Sequence, residues 1–225
     1  MKNVNHYPEK PVHENLLNSY NLLINTHKIC DDFLQFFDDI FDSQILDCKK
    51  EIGRESDLLR AALLFASSGL DSFVKQLIRD SLYDVVQVND GAEQRLRSFI
   101  ERNLEKDGAL NTKLLSDALM STDPREHFIR CLINDLTNKS LQSKDELLKV
   151  ASYFDIPSQR IVDDFDYLTG IFQVRNQIAH EMDFDHKINE RRIRDKEYIV
   201  NAINYLLNIA EKLISCIDEK IATSI

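Results

Sequence analysis

Apolar residues return every three or four positions along almost the whole chain, and only five glycines and four prolines interrupt that rhythm in 225 residues. This spacing is the period of an amphipathic α-helix, and no stretch keeps the two-residue alternation that a half-buried strand requires. The pattern predicts an all-α chain: a helical bundle of about four long helices, with shorter helices in the middle third. The first helix is expected over about 12–42, with Leu16, Tyr20, Leu23, Cys30, Leu34, Phe37 and Phe41 on one face. A second, over about 55–83, carries Leu59, Leu63, Ala66, Leu70, Phe73, Leu77 and Ile78 on a stripe with Asp71 at its edge. Between about 86 and 156 the clusters VNDG, KDG and STDP mark turns between short helices. Pro157 suits the first turn of a long helix reaching about 184. A last helix, about 194–222, aligns Ile199, Ile203, Leu206, Ala210, Leu213 and Ile217. No internal repeat or biased linker divides the chain, which predicts one helical domain over 1–225.

Several functions are disfavoured at this stage. No apolar run reaches the roughly 18 residues of a membrane-spanning helix, and the N-terminal MKNVNHYPEK lacks a signal-peptide core, so a soluble, cytoplasmic protein is expected. Cys30, Cys48, Cys131 and Cys216 are far apart, and His6, His13, His27, His127 and His186 show no metal-like spacing, so none of these is assigned a role. A formal charge of −10 argues against coating nucleic acid by bulk electrostatics; any nucleic acid must be held at a local site. The acidic stretch DDFLQFFDDIFD (31–42) places its carboxylates on the exposed face of an amphipathic helix, where they serve solubility.

One stretch conflicts with the pattern. In FQVRNQIAHEMDFDH (172–186) the stripe that runs through Ile161, Phe165, Leu168 and Phe172 meets Arg175 and Asn176 before apolar character is expected again at Ala179 and Met182. Burying an unpaired guanidinium costs several kcal/mol. Such a placement calls for a cleft, an acidic partner such as Asp71, or a second subunit. Asn176 and His180 are four residues apart and share a face, whereas Arg175 stands roughly 140° around the helix from His180.

The run RNQIAH resembles the R-N-x-x-x-H signature of HEPN domains. SDLLRAALLFASSGLDSFVKQLI (56–78) and VRNQIAHEMDFD (174–185) are similar to the second and signature helices of the RiboL-PSP branch of that family. The resemblance implies a dimeric, metal-independent endoribonuclease with no cofactor, acting as a toxin or antiviral defence effector, with RNA as substrate and a cognate antitoxin or other defence-system protein as a partner. Arg175, Asn176 and His180 are then the catalytic set, with Asp71 and Glu181 supporting. The chemistry of these residue types agrees: histidine moves protons near neutral pH, and the permanently charged guanidinium suits the oxygens of a phosphoryl transition state. KINERRIRDK (187–196) adds Lys187, Arg191, Arg192 and Arg194 as candidate RNA contacts. The alternative is a HEPN-like dimer that binds RNA, a nucleotide or a partner protein without cleaving anything.

Overall fold

The computed structural model describes residues 7–44, 52–106 and 109–223. His6 and Cys48 lie outside them. The architecture is all-α. Two long helices, α1 (Leu17–Gln44) and α2 (Ile52–Val88), lie against each other along their lengths. A third long helix, α8 (Lys196–Ala222), packs mainly on α2. Four shorter helices fill the middle: α3 (Asp90–Leu104), α4 (Thr112–Leu119), α5 (Pro124–Thr137) and α6 (Lys144–Tyr153). The motif helix α7 (Phe165–Glu181) connects them to α8 and touches α2, α6 and α8. Two antiparallel pairs of two residues each, Glu105–Lys106 with Ala109–Leu110 and Phe184–Asp185 with Glu190–Arg191, close the tight connections.

The expected stripes are the core. Leu16, Leu23, Cys30 and Leu34 of the N-terminal part and all seven stripe residues of α2 are buried, as are the six of α8. They form one continuous hydrophobic cluster with the middle helices. Helices α1 and α2 approach closely at Gly69, where an added Cβ would fall 2.2 Å from the Thr26 side chain, so glycine's missing side chain permits the approach.

Helix α1 begins at Leu17 after a 3-10 turn at Glu14–Leu16, later than the expected 12, and α2 begins slightly earlier than expected, at Ile52. Three other boundaries that differ from expectation have a capping residue behind them. Helix α2 continues to Val88, and VNDG starts a helix: Asn89 is its N-cap, its side chain accepting from the Ala92 N–H at 2.8 Å. Pro157 does not open the motif helix. It is extended (φ −59°, ψ 134°) and leads into a single 3-10 turn at Ser158–Arg160. The helix begins eight residues later, at Phe165, because Asp164 caps it, accepting from the N–H groups of Asp166 at 2.9 Å and Tyr167 at 2.8 Å. At the other end α7 stops at Glu181, since Met182 and Asp183 take left-handed backbone angles, φ 53° and 56°. No helix among the described residues is long and apolar enough to cross a membrane.

Candidate functional site

The apolar face of α7 takes a different course from the one its spacing predicts. Leu168, Ile171, Phe172 and Ile178 are buried, whereas Ala179 and Met182 are exposed. Arg175 therefore sits at the edge of the packed face, half-buried, and Asn176, Ala179, His180 and Glu181 form an outward patch. The polar interruption is a border between core and solvent.

Arg175 Nη1 donates to Asn176 Oδ1 at 2.8 Å, so the guanidinium and the neighbouring amide are held as a unit. Its Nε is buried without a hydrogen-bond partner. Burial lowers the Arg175 pKa from its ordinary value, and the negative charge of Asp71 works in the opposite direction. Asp71 does not hold Arg175 through an ion pair. Its carboxylate accepts from Lys75 Nζ at 2.8 Å and from the backbone N–H of Leu141 at 2.6 Å, which leaves it only a field on the arginine. One turn earlier on α2, Ser67 is fully buried and its hydroxyl also lacks a partner. His180 lies on the exposed side of α7, one turn beyond Asn176. Glu181 is exposed as well, with Arg192 Nη1 3.1 Å from its carboxylate.

The segment after α7 is held by charges that periodicity alone does not reveal. Asp183 is completely buried and accepts from Arg60 Nε at 2.7 Å and from Arg194 Nε at 3.0 and 3.1 Å; Arg194 Nη2 also contacts it. Burial alone would raise the Asp183 pKa, but the hydrogen bonds from Arg194 and Arg60 outweigh it and hold the carboxyl below the usual range. Arg60 itself is buried on α2 and donates further to the Arg192 carbonyl at 2.6 Å and to Asp57 at 3.2 Å. Arg194 reaches back to Gln177 Oε1 on α7 at 2.8 Å. Arg191 grips Asp57 with both Nη groups, at 3.1 and 2.6 Å, which lowers the Asp57 pKa and raises that of Arg191. Of the four basic residues expected to guide RNA, Arg191, Arg192 and Arg194 are thus engaged with carboxylates of the chain itself, and Lys187 is exposed. The sequence signal for the network is a pair of unmatched charges inside apolar patterns, Arg60 in LLRAALL and Asp183 in EMDFD.

Among the described residues no group of three or more His, Cys, Asp or Glu side chains is placed to hold a metal ion. Comparison with protein-family models, with curated proteins and with solved structures finds no match in any of the three.

Proposed function

We propose that the protein is a metal-independent endoribonuclease of the HEPN type, acting in a toxin or antiviral defence system. The single observation that carries this reading is the Arg175–Asn176 pair on α7, its guanidinium half-buried and without a bonded carboxylate, one turn from an exposed His180. A structural arginine in such a place ordinarily takes a carboxylate partner, and the available one, Asp71, is bonded elsewhere.

The chemistry follows from the residue types. In the proposed reaction the 2′-hydroxyl of RNA attacks the adjacent phosphorus, and the bond to the 5′-oxygen of the next nucleotide breaks. The products are a 2′,3′-cyclic phosphate and a 5′-hydroxyl. His180 takes the proton of the attacking hydroxyl and returns one to the leaving oxygen. Arg175 stabilises the charge that gathers on the non-bridging oxygens, and its bond to Asn176 fixes the amide that orients the phosphate or the imidazole. Glu181 and Asp71 act at a remove, the first through Arg192 and the second through its charge on Arg175.

The test compares native protein with His180→Ala on mixed RNAs in the presence of EDTA. Cleavage by the native protein that leaves cyclic phosphate ends, and at least about a hundredfold less by the folded variant, is the expected outcome. Undiminished cleavage by the variant would remove His180 from the mechanism. Activity that needs magnesium or manganese and leaves 5′-phosphates would replace the reading with metal-assisted hydrolysis.

A second reading, a HEPN-like dimer that binds without cleaving, is favoured by one specific observation: Arg191, Arg192 and Arg194 are paired within the chain, which weakens the local field available for an RNA strand. Under that reading native protein retains RNA, a nucleotide or a partner protein, and the RNA is recovered intact.

A further inference from the structure

A large cleft in the described residues lies away from Arg175, Asn176 and His180. It has a volume of about 820 Å³, the size of a small-molecule site, and runs along α8 between α1 and the start of α7. Its wall carries three aromatic rings, Tyr167, Tyr198 and Tyr205, with Tyr167 meeting the other two edge-on at centroid distances of 6.2 and 5.1 Å. Around them stand three amides, Asn201, Asn204 and Asn208, and three carboxylates, Asp195, Glu197 and Glu211. Among the described residues the lining contains no lysine and no arginine.

The most buried lining residue is His27, 1% exposed. It projects from α1, and its ring packs against that of Tyr7 with centroids 5.4 Å apart. Neither ring nitrogen has a hydrogen-bond partner; Nε2 is 3.5 Å from the Glu211 carboxylate, with no hydrogen bond between them. A buried imidazole with both nitrogens unsatisfied is costly, and the usual resolution is a polar group that enters the cavity beside it. Burial lowers the His27 pKa to about 4, so near neutral pH the ring is uncharged and keeps one lone-pair acceptor for such a group.

We infer that this cleft is a binding site for a small organic cation bearing amine groups, of the polyamine class. Anions are disfavoured, because three carboxylates line the cavity and no lysine or arginine among the described residues does. Protonated amines are matched at every part of the wall. Carboxylates neutralise them, amide oxygens and the neutral imidazole accept their hydrogens, and tyrosine rings attract cations through the negative potential of their faces. The three aromatics and three carboxylates lie on α7, on α8 or at its cap, so one helix pair presents both kinds of contact. The inference does not depend on the ribonuclease reading, because the motif residues take no part in the lining.

The chain has seven tyrosines and no tryptophan, so its own emission reports on the cleft. Spermidine, titrated into the full chain at near-physiological salt, is expected to change tyrosine fluorescence saturably and to give one site per chain by calorimetry. Glu211→Gln, nearly isosteric, and Tyr198→Ala each weaken binding about tenfold, the scale of one desolvated cation contact. Glu101→Gln, on the exposed side of α3, leaves it unchanged. The proposal is overturned if spermidine does not saturate, or if Glu101→Gln weakens binding as much as Glu211→Gln, the mark of diffuse attraction to an acidic protein. Inorganic phosphate that competes for the site, or oligolysine that binds where spermidine does not, would overturn it equally. Glu211→Gln carries the test if Tyr198→Ala fails to fold.

Discussion

At the scale of single residues, the most consequential group outside the motif is Asp183. Its carboxylate is completely buried and faces two guanidiniums, Arg60 and Arg194, that come from different parts of the chain. Removing the charge leaves both arginines underpaired in a poorly solvated place, and the usual cost of breaking a buried pair from one side is about 3–5 kcal/mol. Asp183→Asn is expected to lose that much in urea denaturation, whereas Asp39→Asn, on the exposed side of α1, changes stability by less than about 0.5 kcal/mol. His27 supplies a second residue-scale expectation. Its folded pKa of about 4 lies below the unfolded value near 6.5, so unfolding takes up a proton between these two pH values. The stability that neutral His27 contributes is present above pH 6.5 and drains away as pH falls toward 4. The full shift is worth about 3 kcal/mol, an upper bound on what His27 contributes. Denaturation of wild type and His27→Gln at pH 7.5 and 4.5 separates this loss from the protonation of carboxylates, which both proteins share. An equal loss in the two proteins would show that His27 is not the group responsible.

At the scale of elements, the α1–α2 pair has a point of close approach at Gly69. A Cβ at Gly69 would lie 2.2 Å from Thr26 Cγ2, 2.4 Å from its Oγ1 and 2.9 Å from its Cβ, and Thr26 is fixed by a hydrogen bond from that hydroxyl to the Leu22 carbonyl at 2.8 Å. Gly69→Ala would gain roughly 1 kcal/mol of helix propensity on an open surface. Here overpacking wins, and a net loss of about 1–3 kcal/mol is expected in thermal or urea melts. Thr26→Ala should relieve part of it, so the two substitutions together cost less than their sum. The helices themselves were legible because their stripes are long: the buried faces of α2 and α8 follow directly from residues three and four apart. The start of α7 was not, because one capping aspartate, Asp164, outweighs the preference of Pro157 for a helical first turn. The candidate site was legible only in part. Arg175, Asn176 and His180 stand out as polar groups on an otherwise packing helix, but which face was core depended on Ile171 and Ile178, and these shift the buried stripe away from Ala179 and Met182. Asp71 at the edge of its stripe looked available to Arg175, and only the fold brings the Leu141 N–H to occupy it. The His27 cleft was invisible for the same reason, since its wall joins α1 to α7 and α8 near the other end of the chain.

At the scale of the whole molecule, the proposed chemistry requires Arg175 and His180 to act on one phosphate, yet five residues at 100° each set them roughly 140° apart on α7. Arginine is long enough to turn back part of that angle, but here Arg175 is half-buried and tied to Asn176. Two copies of the helix facing each other across a two-fold axis remove the difficulty, because every group then lies beside its own copy and the Arg175 of one protomer can reach the phosphate handled by the His180 of the other. The outward patch of Asn176, Ala179, His180 and exposed Met182 is small and mixed enough for two copies to meet around a wet cleft. A symmetric homodimer is therefore the expected active unit. Sedimentation at micromolar concentration should give twice the 26.2 kDa chain mass, and Met182→Glu, which sets like charges against each other at the axis, should shift the protein toward monomer and lower RNA cleavage in the same proportion. Full-rate cleavage by a protein that sediments as a monomer would mean that a single α7 assembles the site alone. Mixing Arg175→Ala with His180→Ala under subunit exchange adds the arrangement: activity above that of either variant alone requires that the two groups act from opposite protomers or that one intact copy of each suffices. Both routes require the dimer.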